Sequence, residues 1–389
     1  MENYCQTIYK SYFLKKLVVI SHTEHQKDSE GRFVGWGPTV NEINYLSQYW
    51  DEVVHVACIE KGIQPRGSSI GYSSNKIKFV PIPTFGGKTI FKKLDILWKL
   101  PLILMRIRQA IKDASHVQLR LPMGIGIFLL PYFYFRNSKK YFFWVKYANN
   151  WGSNSVPPGY KAQRWMLRKN WLQCNVTING FWPEQEPHCI SLENPCLSIR
   201  DNETGSKAVT QKNISEGIEV VFVGRLDEAK GIDFIIEHTI SGNFNPKLFH
   251  IVGEGELKNE LEIKLLKMNV AHKFYGTLKQ TEVFSIFNTA HAIMLPSKSE
   301  GFPKVLAEAM NFGCIPITSD VGSICHYIQE GKTGIVMREL NSQGLEHAWQ
   351  SFLRLTENEK RRMMLEGNIL ARKFTFEEFG NRLLKEVFN

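Results

Sequence analysis

The chain has 389 residues, too many for one ordinary hydrophobic core and suited to two domains of moderate size. Its 43% hydrophobic and 12% aromatic content excludes wholesale disorder. The formal charge of +10 is uneven, with 25 Lys and Arg against 13 Asp and Glu in residues 1–199 and 23 against 25 in residues 200–389. A basic front half calls for an anionic partner: a membrane surface, a nucleic acid or a phosphorylated substrate, among which charge alone does not choose. No recognisable nucleic-acid-binding module accompanies the charge, so nucleic acid is not the expected partner.

The seven cysteines are scattered, with neither a Cys-x-x-Cys pair nor zinc-site spacing, and read as reduced cytosolic thiols that mostly fill cores. The early apolar run Leu17 to Ile20 is too short for a signal-peptide core. The most lipophilic stretch, Leu121 to Phe135, is interrupted by Pro122 and Pro131 and is short of a membrane span. A cytoplasmic protein is expected, with the inner face of the cell membrane as a place it can attach.

In chain order, Lys16–Ile20, Val53–Ile59, Ile77–Ile82, His116–Leu121 and Tyr141–Val145 are predicted strands of the front half. Val40–Tyr49, Ile90–Ile111 and Gln163–Leu172 have helical periods between or after them. The polar stretch 198–216 lacks an apolar period and reads as an exposed linker. Behind it come predicted strands at Ile218–Val223, Lys247–Val252, His272–Tyr275, Ala292–Leu295 and Ile315–Thr318. They alternate with helices at Gly231–His238, Leu257–Met268, Thr281–Phe287 and Lys304–Asn311. Such alternation specifies parallel sheets covered on both faces: an α/β chain of two doubly wound, Rossmann-like domains, 1–197 and 217–370, with a cleft between them.

Three segments of the back half fit one nucleotide-diphosphate site. In Val221-Phe-Val-Gly-Arg-Leu-Asp-Glu-Ala-Lys-Gly231 a strand ends at Gly224, and Arg225 and Lys230 follow on the loop, where two cations suit a diphosphate. The bland alternative is a pair of solvated surface charges. In Ile251-Val-Gly-Glu-Gly-Glu256 the glycines Gly253 and Gly255 let backbone approach a ligand, although any strand-to-helix turn uses glycine. In Pro296-Ser-Lys-Ser-Glu-Gly-Phe-Pro-Lys-Val-Leu-Ala-Glu-Ala-Met310, Pro303 suits the first helical position, leaving free N–H groups near Lys304 and Val305 for phosphate. Glu300 and Glu308 beside a phosphate site need another task, and accepting hydrogen bonds from sugar hydroxyls is the natural one. The alternative is a capping Glu300 and a solvated Glu308.

These residues resemble the group-1 (family 4) retaining glycosyltransferases of the GT-B fold. Gly224-Arg225…Lys230-Gly231, Gly253-Glu254-Gly255 and Glu300…Glu308 match that family's three motifs in order, over roughly Val220 to Val336. The tail from Phe374 is similar to the family's last helix, which implies that 371–389 packs back onto the front domain. The resemblance implies that Arg225 and Lys230 bind the donor phosphates, Glu300 the transferred sugar and Glu308 the ribose. Gly224, Gly253, Glu254, Gly301, Phe302, Pro303, Lys304 and Val305 would line the donor pocket. In the front half, Gly35-Trp-Gly37 is similar to the family's glycine loop, and Asn149-Asn-Trp-Gly152, with Asn150, to a cleft-facing loop. Arg120 stands where the family often has histidine.

The expected activity is therefore hexosyl transfer from a nucleotide-diphosphate sugar to a lipid-linked or polysaccharide acceptor, with retention of configuration. No Asp-x-Asp occurs, so neither metal nor cofactor is expected. The basic amphipathic segment Phe91–Arg108 is a candidate contact with an anionic membrane. A sugar-nucleotide epimerase and a non-catalytic nucleotide-sugar-binding protein are the rival readings.

Overall fold

A computed structural model describes residues 16–60, 67–87, 90–136, 140–153, 156–240 and 244–388, the side chains of 90–94, 239 and 240 excepted. The chain divides into two compact units. The first takes residues up to Ile178, then Pro183–Ser191 and the stretch from Leu383; the second takes Asn179–Trp182 and Leu192–Arg382.

The first unit's strands are β1 (Lys16–Ile20), β2 (His25–Lys27), β3 (Phe33–Trp36), β4 (Glu52–Ile59), β5 (Ser69–Gly71), β6 (Ile77–Pro83), β7 (His116–Leu121), β8 (Phe142–Tyr147), β9 (Asn175–Ile178) and β10 (Cys189–Ser191). They form one sheet in the order β10-β9-β8-β7-β1-β4-β2-β3-β5, with β6 also paired to β4. The long strands are parallel, while β3 runs antiparallel to β2 and β5. Helices α1 (Gly37–Leu46), α2 (Ile90–Ala110), α3 (Gly126–Phe135) and α4 (Pro158–Arg168) belong to this unit. Leu17–Ile20 are buried almost completely, as the continuous apolar run of a two-face-covered strand requires. The lipophilic stretch Leu121–Phe135 begins at the end of β7 and ends in α3, which buries Leu129, Leu130 and Phe133. No helix among the described residues is long and apolar enough to cross a membrane.

The second unit begins with α5 (Ile199–Gln211). Its strands are β11 (Glu219–Val223), β12 (Leu248–Val252), β13 (His272–Gly276), β14 (Ala292–Leu295), β15 (Ile315–Ser319) and β16 (Ile335–Met337). They pair in the order β13-β12-β11-β14-β15-β16, all parallel. The remaining helices are α6 (Ile232–Ile240), α7 (Lys258–Lys267), α8 (Gln280–Thr289), α9 (Lys304–Asn311), α10 (Ser342–Arg354), α11 (Glu357–Ala371) and α12 (Phe376–Arg382). The order reverses between β11 and β14, so the loops leaving these two neighbours emerge side by side, at the point where doubly wound sheets bind ligands. Fully buried Phe222, Phe249, Phe287 and Leu295 anchor the core, each worth roughly 1.5–3 kcal/mol in apolar burial.

The expected linker at 198–216 is largely helix. Ser198 and Asp201 form a capping box at the start of α5, with the Ser198 Oγ accepting from the Asp201 N–H at 3.1 Å. Its buried face is Asn202, Gly205 and Val209, too polar to show as an apolar period. Asparagines replace the apolar contacts: Asn202 donates to the Asn311 side chain at 2.8 Å, and Asn368 to the Asn311 carbonyl at 2.7 Å. A Cβ on Gly205 would lie 2.2 Å from that same carbonyl oxygen. At the chain's end, the Val387 carbonyl accepts from Asn175 at 2.8 Å, and the Phe388 ring packs edge-on to Trp50 and Trp144.

Candidate active site

The loop after β11 is shaped by Asp227. Its Oδ1 accepts from the Lys230 N–H at 3.1 Å and caps the short turn Glu228–Lys230, while its Oδ2 takes the exposed Arg225 guanidinium at 3.0 Å. The turn ends at Gly231 with φ +73°, where a Cβ would sit 1.9 Å from the Pro296 carbonyl oxygen. Only glycine lets this loop close onto the chain leaving β14. That approach joins Lys230 to Glu300 in an ion pair, and Ser297 Oγ donates a further hydrogen bond to Glu300 at 2.8 Å. The Lys230 and Glu300 side chains are 24% and 11% exposed, so the pair is partly withdrawn from solvent yet accessible. An ammonium has three donors, and the contact with Glu300 leaves two for a ligand.

The glycine turn after β12 closes on the same loop. Gly253 has φ +138°, and a Cβ there would lie 1.8 Å from the Gly224 carbonyl oxygen. The Glu254 carbonyl accepts from the Leu226 N–H at 3.0 Å. The Glu254 side chain turns instead to Lys258, 3.1 Å away, and is about half exposed, so this residue enters the site through its backbone alone.

Helix α9 starts at Lys304, as its predicted span had it, and Pro303 stands not at the first helical position but at the extended N-cap, with φ −74° and ψ 115°. No side chain caps this end; the Leu306 N–H donates to the Pro303 carbonyl at 3.0 Å, and the Lys304 and Val305 N–H groups at the positive dipole end have no capping side chain. Two predicted pocket side chains are engaged elsewhere. The Lys304 ammonium donates to the Pro195 carbonyl at 2.7 Å. Phe302 is buried, stacked on Phe374 with ring centroids 4.7 Å apart and edge-on to Tyr327. The Gly301 carbonyl accepts from both the N–H and the hydroxyl of Ser323, at 2.8 and 2.9 Å. Within this segment Phe302 and Pro303 are buried, while Gly301, Lys304 and Val305 are partly exposed.

Glu308 accepts from Gln280 Nε2 at 2.6 Å rather than meeting Glu300 or Lys230. Burial pushes its carboxyl up to about 7, against the opposing pull of the Gln280 hydrogen bond and the Lys304 charge. The second unit therefore gathers Lys230 and Glu300 directly, and links Arg225 to Lys230 through Asp227. Asp227, Ser297 and Gln280 were missed in the sequence. Asp227 lies inside a recognised motif, as an acid three residues ahead of Lys230 in capping position; Gln280 carries no local signal.

The first unit corrects one expectation, the glycine loop, and gives the other named residues their surroundings. Gly35 and Trp36 lie in β3, and Gly37 begins α1, so the expected glycine loop is strand and helix. The two glycines serve packing: a Cβ on Gly35 would be 2.3 Å from His25 Nε2, and one on Gly37 would be 2.8 Å from the Ser68 carbonyl oxygen. Asn150 is a turn residue, its Oδ1 accepting from the Gly152 and Ser153 N–H groups at 3.0 Å each. Arg120 is buried and held by Gln118 and Glu42, each at 2.8 Å. His116 is a packed strand residue against Trp50, its pKa lowered by burial to about 4.

Residues 207–369 match the family model described as "Glycosyl transferases group 1". An uncharacterized glycosyltransferase of Methanocaldococcus jannaschii is 29% identical over 161 residues, 41% of this chain and 44% of that protein. Glycogen synthase of Thermodesulfovibrio yellowstonii is 23% identical over 230 residues, 57% of this chain and 46% of that protein. The chain thus spans less than half the length of these curated relatives. Among solved structures, sucrose-phosphate synthase from Thermosynechococcus elongatus superposes with a TM-score of 0.67 at 15% identity, covering 96% of this chain and 99% of the other. Anabaena HepE in complex with UDP gives 0.65 at 12% identity, covering 96% and 99%. Residues 207–369 are thus similar to the group 1 glycosyl transferases, and the fold of the chain is the GT-B fold.

Proposed function

We propose that this chain is a retaining glycosyltransferase, moving a hexose-type sugar from a nucleotide-diphosphate donor to a lipid-linked or polysaccharide acceptor in cell-surface glycan synthesis. The observation that carries the reading is the Lys230–Glu300 pair at the switch point between β11 and β14, beside the uncapped end of α9. As the bond from the anomeric carbon to the diphosphate oxygen breaks, negative charge grows on the leaving group. Lys230, Arg225 and the α9 N–H groups stabilise it, and preorganised donors of this kind contribute about 3–4 kcal/mol each. Glu300 accepts from hydroxyls of the transferred sugar, and Glu308 from those of the ribose. These fixed cations supply the neutralisation without a metal. UDP, with which HepE was solved, is the nucleotide to test first. Lys230→Ala is expected to lower turnover by a factor on the order of 10²–10³. A loss below fivefold, measured with UDP- and GDP-sugars, removes Lys230 from the mechanism.

The lipid-linked acceptor is supported by α2, which leaves Leu97, Trp98, Leu102 and Met105 exposed, Trp98 at 86%. Arg106 and Arg108 are exposed on the same helix, while Lys99 is engaged by Asp95 and the Thr84 carbonyl. The side chains of Phe91, Lys92 and Lys93 lie outside the described part. Apolar residues flanked by arginines suit attachment to an anionic interface, at the inner face of the cell membrane. Salt-sensitive flotation with anionic vesicles, reduced by Trp98→Ala, is the expected result; no flotation at low salt rejects this attachment.

A further inference from the structure

A cavity of about 430 Å³ opens in the first unit at the carboxyl ends of β1, β7 and β8. Ser21, His22 and Glu24 line it from the chain after β1, Arg120 from the end of β7, and Trp36 from β3. Three properties of its wall define what it can hold.

The first is charge. Glu42 receives Arg120 at 2.8 Å and Lys146 at 2.7 Å, all three side chains being 10% exposed or less. Two buried cations thus meet at one carboxylate in a region of low dielectric, where charged contacts are strong. Among the described residues Arg120 Nη1 has no hydrogen-bond partner, and Arg120 borders the cavity. An anion placed there gains a charge-assisted hydrogen bond that water replaces poorly. Glu24 lies at the exposed mouth, where solvent screens its charge.

The second is the hydrogen-bond direction at Ser21. His25 Nδ1 faces the Thr23 carbonyl at 3.0 Å, so it carries the proton, and burial lowers this histidine's pKa to about 4, keeping it neutral. Its Nε2 must then accept from the Tyr72 hydroxyl at 2.8 Å. Tyr72 oxygen accepts from His55 Nδ1 at 2.6 Å, and His55 Nε2 accepts from the Ser21 hydroxyl at 2.8 Å. This chain of hydrogen bonds turns the Ser21 hydrogen inward; the Ser21 oxygen accepts from the Thr23 N–H at 3.2 Å and keeps one lone pair for a donor such as a sugar hydroxyl. The third is Trp36, half exposed at the rim, an apolar face on which a pyranose ring stacks.

We propose that this cavity binds a saccharide bearing an acidic group, phosphate or carboxylate, with Arg120 taking the anion, Ser21 a hydroxyl and Trp36 the ring face. Under the glycosyl-transfer reading this sugar is the acceptor; the binding claim stands without that reading. Isothermal titration of the full chain with glucose 6-phosphate, glucuronate and glucose tests it. At least one acidic sugar is expected to bind tenfold or more tighter than glucose, and comparing the two acids identifies the group. Arg120→Gln is expected to erase that preference and Arg120→Lys to restore part of it. Trp36→Ala, at an exposed position that spares the buried ion cluster, is expected to weaken the acidic sugar fivefold or more. UDP titrated into the loaded protein should bind without displacing the sugar. Equal binding of acidic and neutral sugars, or displacement by UDP, overturns the proposal. So does affinity for the acidic sugar that is unchanged both in Trp36→Ala and in folded Arg120→Gln. Loss of UDP binding in Lys230→Ala is scored separately, so either reading can fail alone.

Discussion

Both units place charged residues at the carboxyl ends of parallel strands, yet they do so in opposite ways. In the second unit the charges sit on loops: Arg225 is 72% exposed and pairs with Asp227 two residues on, and Lys230 reaches Glu300 across neighbouring strand exits. In the first unit the charges are sunk into the sheet and its covering helix. Arg120 on β7 and Lys146 on β8 meet Glu42 on α1, a residue 78 and 104 positions away in sequence. Loop charges can release one partner for a ligand at small cost. Buried charges cannot, and act by projecting a fixed field into a cavity.

That contrast can be broken or sharpened by experiment. Glu42→Ala strands Arg120 and Lys146 in the interior, and a loss of about 3–5 kcal/mol is expected in denaturant unfolding. A loss below 1 kcal/mol would mean that water reaches both cations. A smaller effect is expected from Glu308, whose carboxyl is raised above its usual range to about 7. A raised carboxyl favours the folded state while protonated, so its contribution is full below about 4.5 and is lost as pH rises through 7. Glu308→Gln should flatten this dependence and stabilise the protein at pH 8 by about 2–3 kcal/mol. Identical pH profiles for wild type and variant would place the carboxylate in solvent. The smallest effect on stability belongs to Arg225→Ala, within about 0.5 kcal/mol, because an exposed pair contributes little. The same variant should weaken UDP binding measurably, and a large stability loss instead would make Arg225 structural.

Much of the second unit could be read from local pattern. Continuous apolar runs such as Val220–Phe222 and Ile293–Leu295 mark two-face-covered strands, and the glycines at 224, 231 and 253 sit where backbones approach within contact distance. Helix α5 escaped because its buried face is Asn202 and Gly205, whose partner Asn311 is more than 100 residues away. Glycines 35 and 37 were legible as glycines but not in their purpose, which is to admit the His25 ring and the Ser68 carbonyl.

By itself the sequence determined the alternation of strands and helices, the three strand-exit motifs and the uneven charge, because each is written in residues close together along the chain. Only the tertiary structure decided which charges are shared and which remain available. Glu42 between two cations, Gln280 on Glu308, and the proton order running from His25 to Ser21 all depend on distances between residues that only folding brings together. A periodicity is a property of neighbours in sequence, whereas the pairing of a buried polar group is a property of neighbours in space.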